Sequence, residues 1–228
     1  MKHVDGRLRL RAYTFAKRAS DIVVALASLL ITLPILLVTV MALWASMGPP
    51  AMFQQSRAGY LGRAFTLFKF RTMRGPKPGR EGLDDEARLS AIGRFLRRTS
   101  IDELPQLVNV LRGEMSLVGP RPLLMEYLPL YTQEQARRHA VRPGITGWAQ
   151  INGRNALSWD DKLAMDVWYV EHRSMPLDLR ILAVTIWIVV LRSGISQDGH
   201  ATAEAFRGSA TPDSPARDRA TTDEVSHE

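Results

Sequence analysis

Two adjacent carboxylates, Asp102 and Glu103, stand just before Pro105, with Arg97 and Arg98 upstream and Arg121 downstream. Proline is best tolerated at the first position of a helix, where its missing N–H costs nothing. A helix beginning at Pro105 leaves both carboxylates at its mouth, where backbone donors favour negative charge. Anionic side chains, backbone donors and guanidinium groups gathered in one place suit a site that handles phosphate. Ser100 followed by Glu103 also fits a capping box, which needs no chemistry. That second reading accounts for Glu103 and leaves Asp102 without a role.

A second dense motif runs Arg142-Pro143-Gly144-Ile145-Thr146-Gly147-Trp148, continuing to Asn152-Gly153-Arg154-Asn155. Its glycines allow tight turns and close backbone approach, and Trp148 offers a flat apolar surface; a purely structural turn is the alternative. Between the two motifs, Gly119-Pro120-Arg121-Pro122 restricts the backbone on both sides of one arginine. His139 is expected to be packed or solvated rather than to carry protons.

The elements that must position these groups begin with an apolar run. From 22 to 56 no residue is charged, and 22–47 is long enough to cross a bilayer's hydrocarbon. Lys2, Arg7, Arg9, Arg11, Lys17 and Arg18 precede it, and Arg57, Arg63, Lys69, Arg71 and Arg74 follow it. Basic flanks on both sides favour a helix that bends at Pro34 and leaves by the face it entered, over a straight span. No signal-peptide cleavage pattern follows the run. Residues 54–63 read as a polar turn, and 64–73 alternate as a strand or small hairpin that places Phe68 and Phe70 on one face and Lys69 and Arg71 on the other. Residues 75–85 read as a mobile loop, and 88–98, 104–113 and 123–140 as amphipathic helices. Residues 159–172 read as a further helix, and 177–191 as an interfacial or core helix.

At 228 residues the chain suits one domain with appendages. It lacks cysteine, which excludes disulfides and thiolate metal sites. A formal charge of +7 and a pI of about 10.1 call for an anionic partner: nucleic acid, anionic lipid or phosphorylated substrate. The resulting division is a basic segment 1–21, a membrane helix and its exit 22–56, a cytoplasmic or interfacial catalytic domain 57–195, and a disordered polar tail 196–228.

These residues resemble the bacterial sugar transferases, the monotopic phosphoglycosyl transferases that act on polyprenyl phosphates. The resemblance spans about 13–195. It rests on Lys17-Arg18-x-x-Asp21, the proline-broken apolar run, Lys69-Phe70-Arg71-Thr72-Met73, Thr99 to Gln106, Ser116 to Pro122, and Arg142 to Gly147. Leu33-Pro34 stands where some members have serine-proline. The chain looks like the minimal catalytic form, without the multi-span region of larger members.

The resemblance implies a mainly α fold with a small β-hairpin, a re-entrant helix anchored around Lys17, Arg18, Asp21 and Pro34, and amphipathic interfacial helices. It also implies a ping-pong reaction at the cytoplasmic face of the bacterial inner membrane. Asp102 would attack the β-phosphorus of a UDP-sugar, with an N-acetylated amino sugar favoured over a plain hexose. Polyprenyl phosphate would then take the sugar phosphate. Asp102 and Glu103 would hold Mg2+, or Glu103 would accept a proton from the lipid phosphate, and Lys69, Arg97, Arg121 and Arg154 would hold phosphates, with Arg154 nearer the nucleotide. The bilayer is thus a partner and nucleic acid is not, while the oligomeric state, a homodimer included, stays open.

Overall fold

The structure, a computed structural model, describes residues 2–75, 88–153, 157–191 and 205–208. It is mainly helical, with two small two-stranded sheets. Helix α1, Lys2–Met47, is followed by strands β1, Met52–Ala58, and β2, Ala64–Phe70. Then come α2, Ala91–Thr99; α3, Gln106–Arg112; β3, Ser116–Val118; α4, Gln133–Ala136; and β4, Gly144–Thr146. Helices α5, Trp148–Ile151; α6, Trp159–His172; and α7, Met175–Leu191, complete the order.

Among the described residues, α1 is the one helix long and apolar enough to cross a membrane. It continues as one helix through Pro34 to Met47. Proline deletes one backbone hydrogen bond, and the turns on either side keep theirs. The Thr32 hydroxyl donates to the Ser28 carbonyl at 2.7 Å, so that polar group is satisfied within the helix itself.

Polar and apolar contacts tie α1 to the rest of the chain at both ends of its apolar run. Arg18 donates to the Val110 and Leu111 carbonyls at 2.7 and 3.0 Å, satisfying orphan acceptors at the end of α3. Buried Asp21 accepts from the Ser116 hydroxyl at 2.7 Å and the Leu117 N–H at 3.2 Å. Lys17 pairs with Asp178 of α7 at 2.9 Å, and Asp178 also accepts from Tyr13 at 2.9 Å and Tyr169 at 2.7 Å. Toward its C-terminus, Leu43 is fully buried with Ala51, Phe70 and Leu96. Lys17, Arg18 and Asp21 therefore dock the helix onto the domain.

The hairpin pairs β1 with β2 antiparallel, from Met52 opposite Phe70 to Ala58 opposite Ala64. The turn expected at 54–63 is shorter than that, because the alternation of Phe53, Gln55 and Arg57 continues a strand to Ala58. Fully buried Asn109 fixes α3 against β2, donating to the Thr66 carbonyl at 2.7 Å and accepting from the Phe68 N–H at 3.2 Å. Gly113 ends α3 at φ 80, a left-handed conformation that suits glycine.

Strands β3 and β4 are parallel and close-packed at three glycines. A Cβ on Gly144 would lie 2.1 Å from the Gly119 nitrogen, and one on Gly147 would lie 2.2 Å from the Gly119 oxygen. The main core gathers Ala25, Leu67, Leu107, Val110, Met115, Val118, Tyr169 and Ile181 around this junction.

Three further expectations change. The helix expected over 123–140 is instead a 3-10 turn at Met125–Leu130, then α4, then a second 3-10 turn at Arg137–Ala140. Pro129 interrupts the first turn, and a capping box between Thr132 and Gln135 starts a new helix. Within the tail expected to be disordered, Phe206 is buried against Tyr127, Tyr131 and Trp159. Trp148 does not present an open face: it stacks on Trp168 at 4.7 Å, and Trp168 stacks on His172 at 4.4 Å. The expected loop at 75–85 lies, from 76 on, outside the described residues.

Candidate active site

Ser100 closes α2 in the left-handed region, at φ 56 and ψ 16. Its side chain caps nothing in the turn that follows, so the expected capping box with Glu103 does not form. The left-handed residue reverses the chain, and a 3-10 turn at Ile101–Glu103 presents the two carboxylates before Pro105 leads into α3. Asp102 is 6 % exposed.

Lys69 of β2, Arg97 of α2 and Arg121 converge on these carboxylates. Arg121 donates to Glu103 at 2.6 Å, a short charge-assisted bond. Lys69 lies 3.8 Å from the same Glu103 oxygen, an ion pair too long for a hydrogen bond. Arg97 donates to the Thr72 hydroxyl at 3.1 Å, and its charge reaches Asp102. Arg154 lies outside the described residues. The structure thus brings together Asp102, Glu103, Lys69, Arg97 and Arg121.

Burial pushes the Asp102 carboxyl up to about 6, and the neighbouring Glu103 charge adds to that, while Lys69, Arg97 and Arg121 oppose it. Burial also draws Lys69 down, against the pull of Glu103. Arg121 is held up by Glu103. The outcome is a carboxylate of raised basicity that is still ionised at neutral pH, facing a set of cations. That is what an anionic nucleophile attacking an anionic electrophile requires.

Residues that sequence reasoning passed over hold the frame. Buried Arg138 donates to the Arg121 carbonyl at 2.6 Å and pairs with buried Asp166 of α6 at 2.6 Å, pinning the Arg121 turn. Asp178 gathers Tyr13, Lys17 and Tyr169 (whose hydroxyl is also 3.2 Å from the Val118 carbonyl), one residue before Gly119. His139 is buried with Nδ1 3.1 Å from the Gly59 carbonyl, and burial and Arg138 draw it down to about 4. It is neutral at physiological pH and packed, as expected.

The donors that Asp102 and Glu103 offer a metal are carboxylate oxygens. Among the described residues, no third histidine, cysteine or acidic side chain completes a group with Asp102 and Glu103. An open, oxygen-only set suits Mg2+, which keeps waters and takes phosphate oxygens from its substrate.

The pattern of one protein family, described as bacterial sugar transferase, matches residues 12–192. The chain belongs to the bacterial sugar transferase family. The transferase is 55% identical over 194 residues to the uncharacterized sugar transferase EpsL of Bacillus subtilis, covering 85% of this chain and 96% of that one. It is 35% identical to the undecaprenyl-phosphate galactose phosphotransferase of Salmonella typhimurium, over 84% of this chain and 44% of that one. It is 36% identical to the UDP-N-acetylgalactosamine-undecaprenyl-phosphate N-acetylgalactosaminephosphotransferase of Aeromonas hydrophila, over 80% and 45%. The chain thus spans nearly all of the first relative and less than half of the other two.

Proposed function

We propose that the transferase moves a sugar-1-phosphate from a UDP-sugar to polyprenyl (undecaprenyl) phosphate and releases UMP. The carrying observation is Asp102: buried, of raised basicity, and faced by Lys69, Arg97 and Arg121. A carboxylate oxygen of Asp102 attacks the β-phosphorus, and the bond from that phosphorus to the bridging oxygen breaks. The electron pair leaves with UMP. An oxygen of polyprenyl phosphate then attacks the same phosphorus, the bond to Asp102 breaks, and the carboxylate is restored. Lys69, Arg97 and Arg121 hold the phosphate oxygens and offset their charge in both halves. Glu103 fixes Arg121 and can accept a proton from the acceptor's phosphate. Mg2+ held by Asp102 and Glu103 would polarise the reacting phosphoryl group.

The relatives named for galactose and N-acetylgalactosamine keep both sugar classes in view. An N-acetylated amino sugar is the first reading, and a plain hexose is the second. A monotopic, re-entrant placement in lipid is part of the proposal; what supports it is that both ends of the apolar run of α1 pack on one domain, while Leu26, Leu30, Ile31, Leu37 and Met41 between them are exposed. Basic flanks favour the cytoplasmic face of the inner membrane for that domain.

The test is UMP release from a UDP-sugar panel with Mg2+ and polyprenyl phosphate, comparing wild type with Asp102→Asn. The variant is expected to lose at least about a thousandfold in rate, in the range for removing a covalent nucleophile. Labelled sugar phosphate should be trapped on wild type alone. Normal turnover by Asp102→Asn would remove Asp102 as nucleophile.

A further inference from the structure

The proposed reaction brings more than one phosphate to the site, and Asp102 attacks one of them. The hairpin register sets Arg57, Gln55 and Phe53 opposite Phe65, Leu67 and Lys69, so Arg57, Gln55 and Lys69 share one face of the sheet. The Gln55 amide oxygen accepts from Arg57 Nη2 at 2.6 Å, which draws the guanidinium along the strand toward the Lys69 end. The segment after Arg121 lies against β1, with Ala58 N–H donating to the Leu123 carbonyl at 3.0 Å and Arg57 bridged to Leu124.

Arg57 is therefore close enough to feel the Arg121 charge, and Lys69 feels Arg57. Glu126 and Tyr127 act on it in the opposite direction, but no carboxylate lies within ion-pair distance of Arg57 among the described residues. Its Nε is buried without a hydrogen-bond partner. Arg71 also has a bare Nε, yet its guanidinium donates to the Met47 and Gly48 carbonyls and ends α1. Arg57 has no such structural task.

Resting on the reaction proposed above, we infer that Arg57, oriented by Gln55 and adjoining Arg121, binds a second phosphate that is not the one under attack. Two groups have this chemistry: the α-phosphate of the nucleotide, which leaves as UMP, and the phosphate of the polyprenyl acceptor. Either would supply the guanidinium with the bidentate acceptor it lacks.

The experiment measures KM for UDP-sugar, inhibition by UMP, and KM for polyprenyl phosphate in Arg57→Ala and Arg57→Lys. A charged hydrogen bond of this kind is worth roughly tenfold or more in binding. Arg57→Ala should weaken UDP-sugar and UMP together by about that factor, with kcat falling less than KM rises, and Arg57→Lys should recover part of the loss. A change confined to polyprenyl phosphate would assign the same subsite to the acceptor. Constants within about twofold of wild type for all three ligands overturn the inference. Thermal midpoints check folding, and Gln55→Ala, which leaves the cation in place, should shift the same constants less.

Calorimetry of UMP binding in the Asp102→Asn background, with and without Arg57→Ala, reads the subsite without chemistry. Normal turnover by Asp102→Asn would sink the covalent mechanism. An unchanged UMP constant on losing Arg57, with an unchanged acceptor KM, would sink the subsite alone.

Discussion

As the proposed nucleophile, Asp102 must be basic enough to attack phosphorus and yet ionised when substrate arrives. Burial and Glu103 meet the first demand by raising it to about 6, and the surrounding cations keep it from rising further. Because the ionised form reacts, kcat/KM for UDP-sugar should fall about tenfold per pH unit below pH 6 at low Mg2+. A cation between the carboxylates favours their ionised forms, so saturating Mg2+ should move that acid limb to lower pH. Initial rates from pH 4.5 to 8 at two Mg2+ concentrations check this. A limb that ignores Mg2+ would separate the metal from Asp102. The members of this site that were legible from sequence sit in motifs dense with charge, as do Asp102, Glu103 and Arg121. Arg138 and Asp166 were not, because their meaning lies in a pairing across 28 residues. Arg57 was hidden for a different reason: its role follows from strand register, and its segment reads as a turn.

The elements meet at the short parallel pair β3 and β4, which carries Arg121 at its exit. Asp178 ties this junction to α1, through Tyr13, Lys17 and the Tyr169 hydroxyl near Val118. Burial and Asp178 push both phenols up, so they stay neutral donors. Asp178→Ala leaves the largely buried Lys17 with the 3.8 Å contact to Asp21 in place of its short bond to Asp178. Removing one partner of a buried ion pair costs ~3–5 kcal/mol, and a chain of this size loses roughly 10 °C in thermal midpoint for that. Asp178→Asn, which keeps the hydrogen-bonding shape, should lose less. Scanning both proteins in detergent checks this, and an unshifted midpoint for Asp178→Ala would show that the network holds nothing. At this scale the sequence was read well where one signal dominates: α3 begins after Pro105 and stops at Gly113. It was read poorly where signals compete. Apolar spacing over 123–140 suggests one helix, but Pro129 and the Thr132 capping box divide it. At Pro34 the helix runs on, as one element of 46 residues.

For the whole molecule, charge and apolar surface act together. The +7 charge suits an anionic interface, and α1 carries a stripe of exposed apolar side chains. Ile31 and Leu37, 76% and 57% exposed, belong to that stripe and take no part in the buried clusters. An acidic side chain facing hydrocarbon costs up to ~3 kcal/mol, so Ile31→Asp with Leu37→Asp should move the transferase out of the membrane fraction while leaving the domain folded. Flotation with liposomes, alongside circular dichroism of the released protein, checks both halves. An overall plan of helices, one hairpin and one apolar run was legible because hydropathy and periodicity are local. The seating of Phe206 among Tyr127, Tyr131 and Trp159 was not, since one aromatic in a polar tail gives no sign of the cleft that takes it.

The attachment of α1 at Asp21 and again at Leu43, about six helical turns further along, has a kinetic consequence. Under the proposed mechanism and membrane placement, a catalytic centre fastened to its lipid-facing segment at both ends stays at one height and meets its acceptor in two dimensions. The concentration that governs the second half-reaction is then moles of polyprenyl phosphate per mole of surrounding lipid, not moles per litre. Empty phospholipid added at constant total acceptor thins that surface population and slows sugar-phosphate delivery and steady-state turnover with it, while the first-turnover burst of nucleotide release from the soluble donor is unchanged.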